Sequence, residues 1–164
     1  MNAFRGWAAG LALAAFAAGA HAQSLAVVGL DGRDVALDAA RLANLPRARV
    51  TAGEGEHAAL YEGPLLGQAL REAGAPMGQR LHGAPLKAYV LVTGRDGFQA
   101  VFSLAELDKD FHGDTVILAD RKDGVALDAK HGPWRVVSSG DRKGWRSVYA
   151  VERIEIRSAV EPSS

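Results

Sequence analysis

The chain has 164 residues, about the length of one ordinary domain, with 19 Lys and Arg balanced by 19 Asp and Glu and no formal net charge. That balance gives nucleic acid and anionic membranes no global electrostatic hold on the protein. Cysteine is absent, which excludes disulfides, iron–sulfur clusters, thiolate metal ligation and a cysteine nucleophile, and leaves packing as the source of stability.

Met1 to Ala22 read as a secretory signal peptide. Arg5 is its one charge, the run from Trp7 to Ala20 is uncharged and largely apolar, and Ala20-His21-Ala22 suits signal peptidase. The run is too short to span a bilayer comfortably and no later stretch is longer, so no membrane insertion is expected after cleavage. The expected product begins at Gln23, forms a single domain over residues 23–158 with a disordered tail at 159–164, and is periplasmic or secreted.

In chain order, Leu25 to Gly29 reads as a strand, Asp31-Gly32 as a two-residue hairpin turn and Val35 to Leu37 as the returning strand. Asp38 is placed to cap a short helix over Ala39 to Asn44, which Pro46 stops. Arg47 to Thr51 alternates polar and apolar residues, the pattern of a strand with one wet face. The loop that follows contains Gly53-x-Gly55-x-x-Ala58, a loose match to the dinucleotide fingerprint. We reject it, because no helix follows and Glu54 and Glu56 would repel a pyrophosphate. Ala59 to Glu62 is extended. Pro64 at a first helical position, Leu65, Leu66, Ala69 and Leu70 on one face, and Gly74 beyond the end predict a core helix.

Leu86 to Thr93 and Phe98 to Phe102 read as strands joined by the Gly94-Arg95-Asp96-Gly97 turn. Ser103-Leu104-Ala105-Glu106 is a capping box that opens a brief helix ending near His112-Gly113. Further strands are predicted at Thr115 to Ala119, Val125 to Leu127 and Trp134 to Val137, with a longer strand-like run from Trp145 to Ile156. Many short strands with few helices, in no regular βαβ alternation, predict an α+β protein with a mixed-sheet, barrel-like core.

The succession GPLL, DGF, SLAEL, VILADRKDG, GPWRVV, polar loop and WRSVYAVERIEI, from about Ala48 to Ile156, resembles the oxidoreductase molybdopterin-binding domain, the sulfite-oxidase-type fold, in a short exported form. Asp96-Gly97-Phe98, Gly124 and Gly132-Pro133-x-Arg135 carry the resemblance most directly. It implies a molybdopterin cofactor whose metal takes one protein cysteine after the strand that corresponds here to Arg47–Thr51. This sequence has Ala52-Gly53-Glu54 at that place. The resemblance also implies cofactor insertion before export of a folded chain through a twin-arginine signal, whereas Arg5 stands alone.

The stretch from Lys130 to Ile156 carries the strongest site signal. Arg135, Arg142, Lys143 and Arg146 surround a loop with one carboxylate, Asp141, and with two glycines, a composition that favours an anion. The candidate ligand residues are His131, Arg135, Ser138, Ser139, Arg142, Lys143 and Asp96. Asp96 has an alternative role in holding its own turn, and Trp134 and Trp145 serve either as stacking surfaces or as core. The histidines show no HxH or HxxxH spacing, so no metal site is predicted, with His57 the one weak candidate ligand. No GxSxG is present. Two functional readings lead, and a cofactor-free hydrolase or lyase stays open as a third. In the first the chain is a binding module for a small anionic ligand or a periplasmic partner protein, with no cofactor expected. In the second it is a molybdopterin-dependent oxidoreductase with a thiolate-free metal site.

Overall fold

Ser24–Val28 (β1) and Asp34–Asp38 (β2) pair antiparallel around the Asp31-Gly32 turn, where Gly32 takes a φ of +76° and Asp31 accepts a hydrogen bond from the Arg33 N–H at 3.1 Å. The computed structural model describes residues 23–159, so the expected signal segment and residues 160–164 of the expected tail lie outside the described residues. Ala159, the first residue of that tail, donates its N–H to the Lys87 carbonyl. Asp38 caps helix Ala39–Ala43 (α1) by accepting from the Arg41 N–H at 2.7 Å.

Arg47–Ala52 (β3) and Ala59–Pro64 (β4) form an antiparallel pair in which Val50 faces Tyr61. The predicted helix begins two residues later than proline placement suggests, at Leu66, and ends at Glu72 (α2). Pro64 instead closes β4 opposite Arg47, beyond the short strand that pairs only with Tyr61 and Glu62, so its missing N–H leaves no ladder bond unmade.

Ala88–Gly94 (β5) and Gln99–Ser103 (β6) form the predicted hairpin. The capping box is present, with Ser103 Oγ accepting from the Glu106 N–H and Glu106 accepting from the Ser103 N–H. It opens only a 3-10 turn over Ala105–Leu107 and no longer helix. The chain breaks away because the buried Asp108 carboxylate binds the backbone N–H groups of Gly78 and Asp110.

Val116–Ala119 (β7) is followed by the small hairpin Arg121–Lys122 (β8) and Val125–Ala126 (β9), and then by Arg135–Ser138 (β10). The last run differs from expectation. Strand β11 spans Val151–Ser158 only, while Trp145 lies on a 3-10 turn over Gly144–Arg146 and Ala150 takes a φ of +44°. The run does not continue as one strand from Trp145, because Arg146, tied to Asp141 and Glu106, sits in the 3-10 turn, and the positive φ of Ala150 takes the backbone out of the extended region.

Three sheets result, in the orders β2-β1-β11-β5-β6, β10-β7 and β3-β4-β8-β9, with β1 and β11 parallel and the other pairs antiparallel. None closes into a barrel among the described residues. The β7–β10 pair is a central layer. Val116, Leu118 and Val136 face the main core, with α2 and the five-stranded sheet, whereas Ile117, Ala119 and Val137 face a smaller core with Val50, Tyr61 and Leu65. Burial on both faces explains why β7 is apolar at every position. Gly63 permits the layers to meet, since a Cβ there would collide with the Leu118 carbonyl.

Candidate functional site

Strand alternation places Arg135 on the same face of β10 as Val137, toward the smaller core and Tyr61, and sends Trp134 and Val136 to the main core. Its guanidinium lies between two tyrosine rings, 4.6 Å from the centroid of Tyr61 and 4.1 Å from that of Tyr149. Nη1 donates to Tyr61 Oη at 2.6 Å and Nε to Ser147 Oγ at 3.0 Å, and the Ser147 hydroxyl in turn donates to the Val136 carbonyl at 2.7 Å. These contacts fix the fork in one orientation while the remaining N–H groups are left for a ligand. Arg135 lines a cavity of about 650 Å³.

One wall of the cavity comes from the loop after β3, with Ala52, Gly53 and His57, and another from the β8–β9 hairpin, with Lys122 and Val125. The 3-10 turn contributes Trp145, and the segment before β10 contributes Asp128 and His131. Both Asp128 carboxylate oxygens lie 2.8 Å from His131 Nδ1. Hydrogen bonds from the His131 side chain, then from its backbone N–H, with smaller help from the Lys130 N–H, hold the Asp128 carboxyl below the usual carboxylate range. His131 also contacts Tyr149, with ring centroids 5.2 Å apart.

This segment is braced from the β5–β6 turn. Arg95 donates to the Ala129 carbonyl at 3.0 Å and the Gly132 carbonyl at 3.4 Å, its N–H binds the Ala150 carbonyl, and the Ala150 N–H binds the His131 carbonyl.

Of the residues singled out by sequence, His131, Arg135 and His57 come together around this cavity. Asp96 lines an adjoining cavity of about 400 Å³ with Lys130, His131 and Tyr149, and its carboxylate accepts from the Phe98 N–H at 3.0 Å, holding its own turn. Ser138 is buried, accepts from the Gly140 N–H and lines a separate cavity with Asp141 and Arg146. Ser139 Oγ accepts from the Thr115 N–H at 2.8 Å. Arg142 is exposed and does not line the Arg135 cavity, and Lys143 pairs with Glu54 at 3.4 Å. Trp134 is core, while Trp145 is 82% exposed.

Sequence reasoning missed Tyr61, Tyr149, Ser147 and Lys122. For Tyr61 a signal was present in the alternation of β4, which puts it on the buried face with Ala59 and Gly63.

A family model described as the oxidoreductase molybdopterin binding domain matches residues 42–164. The chain belongs to that family. Among solved structures, the sulfane dehydrogenase SoxCD from Paracoccus pantotrophus is similar with a TM-score of 0.62 at 22% identity, over 85% of this chain and 39% of that one. At that identity the likeness is one of fold, and this chain spans well under half the length of its counterpart. No curated protein sequence matches. The α+β, sulfite-oxidase-type architecture is thus the one the sequence resemblance implied.

The donor set around the cavity does not fit a protein-ligated molybdenum. The strand end that would carry the thiolate reads Ala52-Gly53-Glu54, with Ala52 and Gly53 in the cavity wall, and the chain has no cysteine. His57 and His131 supply the only imidazoles there, and Nδ1 of His131 is taken by Asp128. Among the described residues no three His, Asp or Glu side chains are grouped to hold a metal.

Proposed function

We propose that this protein is an exported molybdopterin-domain relative that works as a binding module, taking a small anionic ligand in the Arg135 cavity without cysteine-ligated molybdenum. The observation that carries the reading is the guanidinium of Arg135, held by Tyr61, Tyr149 and Ser147 with the rest of its fork available for an oxyanion. Lys122 adds a second cation and Asp128 one opposing carboxylate. Export rests on the composition of residues 1–22.

The second reading is an oxidoreductase that holds molybdopterin without a protein thiolate. The family match over residues 42–164 and the placement of His57 in the same cavity support it.

Two measurements on mature protein isolated from its own host separate these readings. The binding module is expected to be free of molybdenum and pterin, and to show a saturable rise in melting temperature with sulfate or acetate. At 100 times Kd that rise corresponds to about 2.7 kcal/mol, and Arg135→Gln should remove it. Molybdenum and pterin near one per chain would establish the oxidoreductase reading instead.

A further inference from the structure

We infer that the ligand of the Arg135 cavity is an organic monocarboxylate with a flat apolar body, its carboxylate on Arg135 and its body against Trp145; this rests on the anion-binding reading above. The first argument is charge. Arg135 and Lys122 are the Arg and Lys side chains in the wall and Asp128 is the one carboxylate there, a surplus of one positive charge, while Glu54 on the neighbouring loop is paired with Lys143. That surplus matches one negative charge better than a dianion such as a phosphate monoester.

The second argument is shape. An inorganic oxyanion would use the Arg135 fork and leave most of a cavity of about 650 Å³ to water. Apolar side chains also line the cavity, Val125 and Leu127 from the β8–β9 hairpin and the chain just after it, and Trp145 from the 3-10 turn. Val125 is 69% exposed and Trp145 82%, so each has apolar surface that a ligand body can cover.

The third argument is that the turn presenting Trp145 is held in place although its indole is exposed. Its neighbour Arg146 binds the Asp141 carboxylate at 2.7 and 3.2 Å, Glu106 at 3.0 Å and the Val101 carbonyl at 3.3 Å, and stacks 4.4 Å over Phe102. The backbone under this tryptophan is already ordered, so covering the indole costs the freedom of two side-chain torsions and no loop ordering. An exposed indole on a mobile loop would carry no such implication.

The test compares acetate, sulfate, 1-naphthoate and neutral 1-naphthamide by calorimetry on the mature chain. Naphthoate should bind about tenfold or more tightly than acetate, the factor that about 1.4 kcal/mol of apolar contact supplies, and should perturb the Trp145 indole resonance. Naphthamide, which keeps the ring and loses the charge, should bind at least about tenfold more weakly than naphthoate. Trp145→Ala, at an exposed position that the fold does not need, should bring the naphthoate-to-acetate ratio close to one. Equal binding of acetate, sulfate and naphthoate would overturn this inference and leave the anion-binding reading intact. Equal binding of naphthoate and naphthamide would also overturn it, by removing the role of Arg135. Failure of every anion to bind would overturn both.

Discussion

Arg135 and Tyr61 stand 74 residues apart in the chain, yet Nη1 of one donates to the phenol oxygen of the other at 2.6 Å. The contact is a product of register. Tyr61 faces Val50 across the β3–β4 pair, Gly63 lets that sheet approach β7, and β7 pairs with the strand that opens at Arg135. Tyr61→Phe keeps the ring against the guanidinium and removes the acceptor. A hydrogen bond to a charged group contributes about 1.5–3 kcal/mol, and a urea titration should show a loss in or just below that range, with sulfate affinity falling as the fork loosens. An unchanged midpoint and unchanged affinity would mean that the pair holds nothing in place.

The two residues were unequally legible. Arg135 and His131 could be found because they sit in a segment with a dense local excess of cations, which sequence displays directly. Tyr61 could be assigned to a buried strand face, but nothing local says that this face ends at an arginine. Tyr149 was hidden by a misread element, since the apolar alternation of Trp145 to Ile156 imitates a strand while the chain bends at Ala150, a non-glycine residue with positive φ that no propensity predicts. Arg142 and Lys143 show the converse difficulty. Loop cations are visible in sequence, but whether they meet a ligand or Glu54, 89 residues earlier in the case of Lys143, depends on loop packing. The fold was read more fully, because the Asp31-Gly32 turn, the Asp38 cap and the Ser103–Glu106 box are local devices and all three are formed.

Arg95 is a positioning residue. It binds two carbonyls of the segment that carries His131, and it also meets Glu152 at 3.1 Å. Arg95→Ala should cost about 1–2 kcal/mol through the lost carbonyl bonds and speed amide exchange at His131 and Ala150. Glu152→Ala should change stability by less than about 0.5 kcal/mol, because both partners of that ion pair are more than half exposed. Comparable losses in both variants would locate the brace in the ion pair instead.

Asp128 sets an acid limit on the order of the same segment. Its carboxyl is depressed chiefly by the His131 side-chain hydrogen bond, so its contribution is present above the unfolded pKa of about 3.9 and is lost as pH falls through the lower folded value. The carboxyl carbon resonance of Asp128 should therefore titrate below the ordinary aspartate range, and His131 amide protection should fall with it. His131→Ala should return the titration toward the ordinary value. If Asp128 titrates alike in both proteins, the pair does not order the segment.

Two glycines separate close packing from simple flexibility. At Gly63 a methyl group would meet the Leu118 carbonyl, and at Gly113 it would meet nothing within 4 Å, with no positive φ to strain it. Gly63→Ala should destabilise by about 1–3 kcal/mol or more, because backbone on both sides must move. Gly113→Ala should be neutral or stabilising by up to about 1 kcal/mol, through a less mobile unfolded chain. Equal effects would mean that the approach of β4 to β7 is looser than Gly63 implies.

Arg146 couples the exposed indole to the body of the protein. The Asp141 hydrogen bond, then that from Glu106, raises its pKa above the ordinary arginine value, and Glu106 is also the acid of the capping box at the end of β6. The turn that carries Trp145 is thus tied to the edge of the five-stranded sheet. Arg146→Ala should release it, lowering the Trp145 backbone N–H order parameter from the rigid range, about 0.85, toward the flexible range below about 0.6. Because Ser103 and Glu106 can still bond each other, the 3-10 turn after β6 should persist. A rigid Trp145 backbone in Arg146→Ala would mean that the Arg146 contacts do not fix the turn, and the order of the turn under Trp145 would then need another cause.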